Sequence, residues 1–281
     1  MGSWLMKYFS KKRAGPLIRA YDIDSHSLNT KVGDIQSSGH IKICTTIEES
    51  VKSADVVFVC VPVQITHNVI ELCVAKMRAG SIIAEISSVK GTNFNALQKL
   101  PTFIRPLSIH PMFGPGLRDN KCMKILLVPV RDKDIEVKIL AELFEEALIK
   151  VVPGPKKHDR AIALVLGLTY LTNIVFARIL SSEDLLFLKE ISGKTFGLQS
   201  LLCESVLTDE PDLVLALLKE NRFALGYFEK YAKELSIIIR SLESKNNQAI
   251  RKKLIQTRSD IKKQNDIQLS YEKMYEIAGK L

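Results

Sequence analysis

Val56-Val57-Phe58-Val59-Cys60-Val61 is a continuous run of apolar, mostly β-branched residues that ends at Pro62. A run of this length without alternating polar residues is typical of a strand buried on both faces of a parallel sheet. Proline has no amide hydrogen, so the strand is expected to end there, and residues 65–77 then continue with helical spacing. The run therefore predicts a strand–loop–helix unit of an α/β fold.

Strand and helix patterns alternate through the rest of the first half. Further strands are predicted at residues 17–21, 41–44, 81–86, 107–109 and 125–130, and helices at 47–54, 94–100 and 134–147. Such alternation is typical of a mostly parallel α/β sheet.

The pattern changes at Val152-Pro153-Gly154-Pro155. Beyond it, helices are predicted at residues 159–180, 183–191, 197–207, 212–219, 223–242 and 248–278. Residues 161–180 are apolar almost all round, as in a helix buried in a core or a subunit interface. We expect an α/β domain over residues 1–152 and an all-helical domain over residues 153–281 that forms a homodimer.

Composition narrows the class of protein. The chain has 281 residues, 46% hydrophobic and 25% charged, as is ordinary for a soluble protein. No run approaches the ~18 apolar residues of a membrane span and no signal segment opens the chain, so we expect a cytoplasmic protein without membrane association. Five scattered cysteines without CxxC spacing predict neither disulfides nor a metal site: Cys44, Cys60, Cys73, Cys122 and Cys203.

The net charge of +9 is densest in residues 245–263, where basic residues recur at helical spacing. This pattern favours an exposed helix face over a nucleic-acid surface, so no nucleic-acid partner is expected. The positive field would attract a small anionic substrate.

Three candidate site residues follow successive predicted strands: Pro62, Ser88 and His110. The carboxyl ends of parallel strands meet at one edge of a sheet, where open α/β sheets bind ligands. His110 is followed by Pro111-Met112-Phe113-Gly114-Pro115, whose prolines and glycine restrict the backbone, and imidazole can transfer a proton near neutral pH. Taken alone, a histidine that caps a turn explains His110 more simply, but the three together predict a site.

Two features predict NAD as cofactor. Gly2 begins a segment similar to the first helix of a Rossmann-type dinucleotide-binding fold, where pyrophosphate lies at the helix N-terminus. Asp22 follows the second strand of that fold, where a carboxylate binds a ribose 2′-hydroxyl and disfavours a 2′-phosphate. An Asp that starts a turn explains Asp22 equally well. Val61-Pro62-Val63 is expected to lie over the nicotinamide-side ribose.

The first strand and first two glycines of that fold have no counterpart in residues 1–281. This strand is central in the sheet, so a gap is expected beside the strand that ends at Asp22. We expect a start codon assigned too late, or a shortened version of the gene.

These motifs together resemble the prephenate dehydrogenases of tyrosine biosynthesis, most specifically in residues 110–115, and His158-Asp159 fits the same pattern. The resemblance implies NAD-dependent oxidative decarboxylation of prephenate to 4-hydroxyphenylpyruvate. It implies that His110 accepts a hydrogen bond or proton from the ring hydroxyl and that Ser88 orients that hydroxyl and the histidine. The implied substrate-binding residues are Ser88, Lys90, Met112, Gly114 and Tyr170.

The chain departs from the family on the substrate side. An arginine that usually precedes an Asp-Pro pair in the helical domain is replaced by Ser205, so the usual guanidinium clamp on a substrate carboxylate is missing. Leu166 and Tyr170 stand where the family usually has glutamine and histidine.

These departures leave alternatives open. One is arogenate dehydrogenase, and another is a non-catalytic dimeric relative with impaired cofactor and substrate sites. A third is a 3-hydroxyacid dehydrogenase that uses Lys189 or Lys194, against which the sequence of residues 110–115 argues.

Overall fold

The computed structural model describes residues 1–12, 15–35, 40–117, 123–244 and 247–279. Cys122 and Lys245, which enter the predictions above, lie outside these ranges. The chain divides into two compact units, Met1–Ile162 and Ala163–Leu281. The division therefore lies beyond residue 152, where the sequence pattern changes, and the first unit includes one more helix than the predicted α/β domain.

The first unit alternates strands and helices. Its elements are α1 Gly2–Ser10, β1 Ile18–Ala20, α2 Ser25–Gly33, β2 Ile41–Ile43, α3 Ile47–Val51, β3 Val56–Val59, α4 Thr66–Val74, β4 Ile82–Glu85, α5 Gly91–Gln98, β5 Arg105–Pro111, β6 Lys124–Leu127, α6 Lys133–Leu143, β7 Leu148–Val151 and α7 Pro155–Ile162.

The strands form two sheets within the described residues. β1 pairs in parallel with β2, and the other sheet has the order β3-β4-β5-β6-β7. Every neighbouring pair is parallel except β5–β6, which confirms the prediction of a mostly parallel Rossmann-like sheet. The break between β1 and β3 falls where the counterpart of the central Rossmann strand was expected to be missing.

Two elements escaped the sequence patterns. β7 had no counterpart among the predicted elements, and the helix expected over residues 134–147 ends earlier, because α6 stops at Leu143. β7 is an edge strand with Leu148 51% and Val151 41% exposed, so it lacks the apolar run of a buried strand. Helix α2 buries only Leu28 and Val32, which leaves little amphipathic signal; Asp24 caps it by accepting from the Ser27 amide.

Apolar side chains cover both faces of the larger sheet. On one face, Trp4 of α1 stacks on Tyr8, which in turn stacks on Phe144, above Ile109 and Ile125 of the sheet. On the other, α4 and α5 form a second core cluster with Val59 of β3 and Ile83 of β4. Each such side chain, once buried, contributes roughly 1.5–3 kcal/mol, so the strands that carry the candidate site are firmly held.

The second unit is helical in its described residues. A π-helical segment, Ala163–Leu168, is followed by α8 Thr169–Leu180, α9 Leu185–Glu190, α10 Lys194–Val206, α11 Pro211–Lys219, α12 Ala224–Glu243, α13 Asn247–Lys262 and α14 Ile267–Ala278. The single helix predicted over residues 248–278 is therefore two helices, because Asp266 caps a new one at Ile267.

Helical structure runs unbroken from Pro155 to Leu180. Its 26 residues are long and apolar enough to cross a membrane by length and composition, and only 22% of the apolar window is buried. The expectation that no segment meets this criterion is therefore wrong. Polar residues within it, such as Asn173 and Arg178, interrupt the apolar pattern, so the helix contains no continuous apolar run of that length.

Candidate active site

The parallel strands β3, β4 and β5 bring their carboxyl ends to one edge of the larger sheet. Val59 of β3 pairs with Glu85 of β4, which pairs with Ser108 of β5. His110 lies two residues beyond Ser108 on the same strand and is 3% exposed. The predicted edge therefore exists, with His110 on the strand itself rather than in the loop after it.

A buried ion pair lies beneath this edge. The Nζ atom of Lys90 is 2.7 Å from Oε1 of Glu85, and both side chains are fully buried. Nζ also donates to the carbonyl oxygens of Ser87 at 3.1 Å and of Ile109 at 2.7 Å. Glu85 in turn accepts hydrogen bonds from the Ser108 hydroxyl and the Ser87 amide. The pair thus connects β4, the following loop and β5, immediately before His110.

These contacts revise the prediction that Lys90 binds substrate. An ammonium group has three protons, and the three acceptors named above take all of them. Burial lowers the pKa of Lys90, and Glu85 offsets part of that effect. The structure gives Lys90 a positioning role: it fixes the carbonyl group next to His110.

His110 takes part in a chain of three side chains. Its Nδ1 atom lies 3.1 Å from Nε2 of His158, and Nδ1 of His158 lies 2.8 Å from Oδ1 of Asp159. Asp159 also accepts the amide hydrogens of Lys90 and Gly91, at 2.9 and 3.1 Å. Gly91 has φ +31°, a conformation that residues with a side chain rarely adopt.

The buried histidines are biased toward their neutral forms. Burial lowers the pKa of His110 well below its ordinary value of 6.5, and Lys90 and His158 lower it further. Burial also lowers the pKa of His158, although its hydrogen bond to Asp159 opposes the change. Burial alone would raise the pKa of Asp159, but the hydrogen bonds from His158, Lys90 and Gly91 lower it overall. At neutral pH the hydrogen-bonded series His110–His158–Asp159 therefore consists of two neutral imidazoles and one carboxylate.

The loop after β3 is held by hydrogen bonds to its carbonyl groups. The buried Thr66 hydroxyl donates to Pro62 at 3.0 Å and to Val61 at 3.4 Å, and the Asn93 amide donates to Val63 at 3.1 Å and to the Ser87 hydroxyl at the same distance. The predicted cofactor-binding segment 61–63 is thus fixed next to the end of β4.

The other predicted cofactor residues are at the ends of β1 and α1. Asp22 is exposed, and its Oδ1 atom accepts the amide of Asp24, so it does start a turn, which leaves its second carboxylate oxygen for a ligand. Gly2 is the first residue of α1, whose N-terminus has no side-chain cap. A Cβ atom at Gly2 would lie 3.5 Å from the Cβ of Cys60, so this helix end lies beside the end of β3. An uncapped helix end beside the end of β3 and a free carboxylate oxygen after β1 are the kinds of group that bind a dinucleotide.

Comparison with known families identifies the chain. Residues 11–153, just over half of it, match the model of the prephenate dehydrogenase nucleotide-binding domain. The chain belongs to the prephenate dehydrogenase family. It is 26% identical over 174 residues to a Methanocaldococcus jannaschii protein named "Probable arogenate/prephenate dehydrogenase", covering 60% of this chain and 38% of that protein. It is also 26% identical over 145 residues to the 4-amino-4-deoxyprephenate dehydrogenase of Streptomyces pristinaespiralis, covering 51% of this chain and 47% of that one. The matches therefore span less than half the length of these relatives.

Solved structures of the family share the fold. The prephenate dehydrogenase of A. aeolicus, in complex with hydroxyphenyl propionate and NAD+, has a TM-score of 0.69 at 18% identity, with 94% of each chain covered. The resemblance that the motifs carried is thus confirmed at the level of family and fold.

The remaining predicted site residues of this prephenate dehydrogenase relative belong to several different elements. Ser88 is partly buried in the loop after β4, and the described side chains of Ser88 and His110 form no hydrogen bond with each other. The side chain that does contact His110 is His158, and the role of Ser88 toward the substrate hydroxyl stays a prediction. Met112 pairs through its amide with the carbonyl of Lys124, while Gly114 lies exposed in the loop that follows. Tyr170 belongs to the second unit, where its hydroxyl donates to Asp209 at 2.6 Å.

Sequence reasoning missed two parts of the site. Glu85 interrupts the apolar stretch of β4, and a carboxylate in a buried strand requires a partner, which was the available signal. His158 and Asp159 were noticed as a dipeptide but given no role, because their sequence distance from His110 hides the contact.

Proposed function

We propose that this chain carries out NAD-dependent oxidative decarboxylation of prephenate or of its amino analogue arogenate. The observation that carries the proposal is His110: a neutral, oriented imidazole at the ligand-binding edge of a nucleotide-binding domain. An imidazole with a lowered pKa is unprotonated at neutral pH and therefore has a lone pair that can accept a hydroxyl proton.

The reaction needs one general base, which takes a proton from the substrate and returns it before the end of the turnover. His110 takes the proton of the ring hydroxyl while the ring carbon loses hydride, and the resulting ketone loses carbon dioxide to leave a phenolate. His110 then gives the proton back to that oxygen, so the imidazole is unchanged after one turnover. Bound NAD supplies the hydride acceptor.

The residues present fit that cofactor. The N-terminus of α1 at Gly2 would face the pyrophosphate, Asp22 the adenosine ribose, and segment 61–63 the nicotinamide-side ribose. The uncapped helix end beside Cys60 supports this arrangement.

The Asp22→Ser variant tests cofactor choice. The serine hydroxyl can still accept a hydrogen bond from the Asp24 amide, but it has no negative charge with which to bind the two ribose hydroxyls. It also no longer repels a 2′-phosphate. We expect the ratio of kcat/KM for NAD to that for NADP to fall about 10- to 100-fold, as for the loss of a charged hydrogen bond. The exposed Asp34→Ser is the control, and an unchanged ratio in Asp22→Ser would remove Asp22 from the cofactor site.

The activity itself is tested by NADH absorbance. Purified protein is mixed with NAD and, separately, with prephenate, arogenate or 4-amino-4-deoxyprephenate, the substrate class named for the Streptomyces relative. Turnover with prephenate or arogenate supports the proposal, and the ratio of their kcat/KM values assigns the substrate. Binding of these compounds by calorimetry without NADH formation would instead identify a non-catalytic relative, the alternative favoured by Ser205 in place of the usual arginine.

The pH dependence follows from the direction of the His110 shift. Because its pKa lies well below 6.5, the base stays unprotonated as the pH falls through that value. We expect the acid limb of kcat/KM below pH 6.5; a limb at or above 6.5 would contradict this assignment. The unfolded state, with ordinary histidine pKa values, binds protons first, so the free energy of unfolding should decrease as the pH falls below 6.5 and must be measured in parallel.

We further propose that the second unit forms a homodimer. Its helices expose large apolar side chains, including Leu186 at 82%, Leu225 at 65% and Leu254 at 65%. Exposed apolar surface on this scale is typical of an interface. Light scattering in detergent-free buffer should give twice the chain mass of 31.5 kDa. The mass of one chain would contradict the dimer, whereas recovery only in detergent would favour a membrane role for residues 155–180.

A further inference from the structure

The hydrogen bonds that join His110, His158 and Asp159 show which nitrogen atom of each imidazole carries the hydrogen. Asp159 accepts three N–H groups: the amides of Lys90 and Gly91 and the Nδ1 atom of His158. An ionised carboxylate can only accept hydrogen bonds, and each of the two backbone amides can only donate its hydrogen. Asp159 is therefore an ionised acceptor, and its partner atom on His158 must carry a hydrogen.

The state of His158 follows. Its side chain is fully buried, and a neutral imidazole has a single N–H. With that hydrogen on Nδ1, its Nε2 atom has a lone pair and acts as an acceptor. The atom that faces it, 3.1 Å away, is Nδ1 of His110.

We propose that His158 and Asp159 are positioning residues that hold His110 in the Nδ1–H tautomer, so that Nε2 of His110 is the proton acceptor of the reaction. Only Nδ1 of His110 can supply a hydrogen to the lone pair of His158, and a neutral imidazole then has its own lone pair on Nε2. The catalytic part of this inference rests on the proposed function. The tautomer rests on the hydrogen-bond geometry together with the neutral state of the buried His158.

Charges around His110 suit this role. The charged or titratable groups that act on His110 are Lys90, at the start of α5, and His158 of α7. Behind them, Asp159 bonds His158 and Glu85 pairs with Lys90. Lys90 and burial disfavour an imidazolium in the resting protein. When His110 takes a proton, the hydrogen bond through His158 leads to the negative charge of Asp159, which stabilises the cation that forms. This is the logic by which a carboxylate orients a catalytic histidine in hydrolase triads.

The tautomer is measured directly by nitrogen NMR. Full-length protein with ¹⁵N-labelled histidine is recorded near neutral pH without substrate, and signals are assigned with His110→Asn and His158→Gln. We expect the protonated-nitrogen shift at Nδ1 and the unprotonated shift at Nε2 for both His110 and His158. A hydrogen on Nε2 of His110 overturns the proposal whatever the activity.

Two substitutions of His158 test the consequence for rate. His158→Phe keeps a ring but removes the acceptor, whereas the carbonyl oxygen of His158→Gln can occupy the place of Nε2. We expect kcat of the phenylalanine variant to fall about 10²- to 10⁴-fold with KM and NAD affinity little changed, since a misplaced proton disables the base without removing it. The glutamine variant should recover at least part of this loss. His26→Gln, an exposed histidine, is the control.

The outcomes separate the two proposals. Wild-type kcat in the phenylalanine variant, or equal losses in kcat and NAD affinity for both variants, would overturn the positioning role. If the phenylalanine variant does not fold, the NMR assignment and the glutamine variant still decide. Expected nitrogen signals without turnover on any of the three compounds would contradict the proposed activity while supporting the tautomer assignment.

Discussion

The His110→Asn variant is expected to lose about 10²- to 10⁴-fold in kcat, the usual contribution of a positioned general base. The amide nitrogen of asparagine can take the place of Nδ1 and still donate to Nε2 of His158, so the hydrogen bond between residues 110 and 158 is kept. The lone pair that accepts the substrate proton is lost. KM for NAD should be unchanged, because His110 serves the ring hydroxyl rather than the dinucleotide.

The matched control is His26→Asn, a histidine exposed on α2. It should have the kcat of the natural sequence. If His110→Asn kept more than a tenth of that activity, proton transfer to His110 would not be the role of this residue, and a water molecule or another side chain would have to be the base.

The largest effect on stability is expected for Lys90→Met. Methionine fits the space but leaves Glu85 as a buried carboxylate without its counter-ion, and the carbonyl groups of Ser87 and Ile109 lose a donor. Removing one partner of a buried pair typically costs about 3–5 kcal/mol. Urea unfolding followed by the fluorescence of Trp4, which packs in the core of the same unit, measures the loss.

Two comparisons make this result specific. Lys76→Met breaks an exposed pair with Glu48 at 3.2 Å and should cost less than about 1 kcal/mol. The double variant Glu85→Gln/Lys90→Met removes both charges and should recover a substantial part of the loss, since the cost lies in the unpaired charge. A double variant no more stable than Lys90→Met would show that the hydrogen bonds to Ser87 and Ile109, rather than the charge, dominate.

The sequence predicts the parts of the fold that depend on local pattern. The strand at Val56–Val59 and the helix after it follow from an apolar run and a change of period, and the order of the strands then places Pro62, Ser88 and His110 at one edge. β7 and α2 were missed because an exposed edge strand and a helix with two buried residues carry weak patterns.

The candidate site was predicted only in part, because its contacts cross the chain. His110 was recognised from its rigid surroundings, but its hydrogen-bond partner lies on α7, which the sequence pattern assigned to the helical domain. Lys90 looked available for an anion because nothing local shows that Glu85 and two carbonyl oxygens surround it. Charge pairing in the interior is decided by tertiary structure.

Asp159 also caps the N-terminus of α5, a role that in most helices belongs to a residue next to the helix in sequence. The first amides of a helix have no acceptor within it, and such ends fray and exchange their hydrogens with solvent early. At the start of α5, however, the amides of Lys90 and Gly91 are bound by a carboxylate from a separate helix, so this end opens only when the Asp159 side chain releases it. Hydrogen exchange at these two amides therefore reports how often Asp159 of α7 leaves the start of α5.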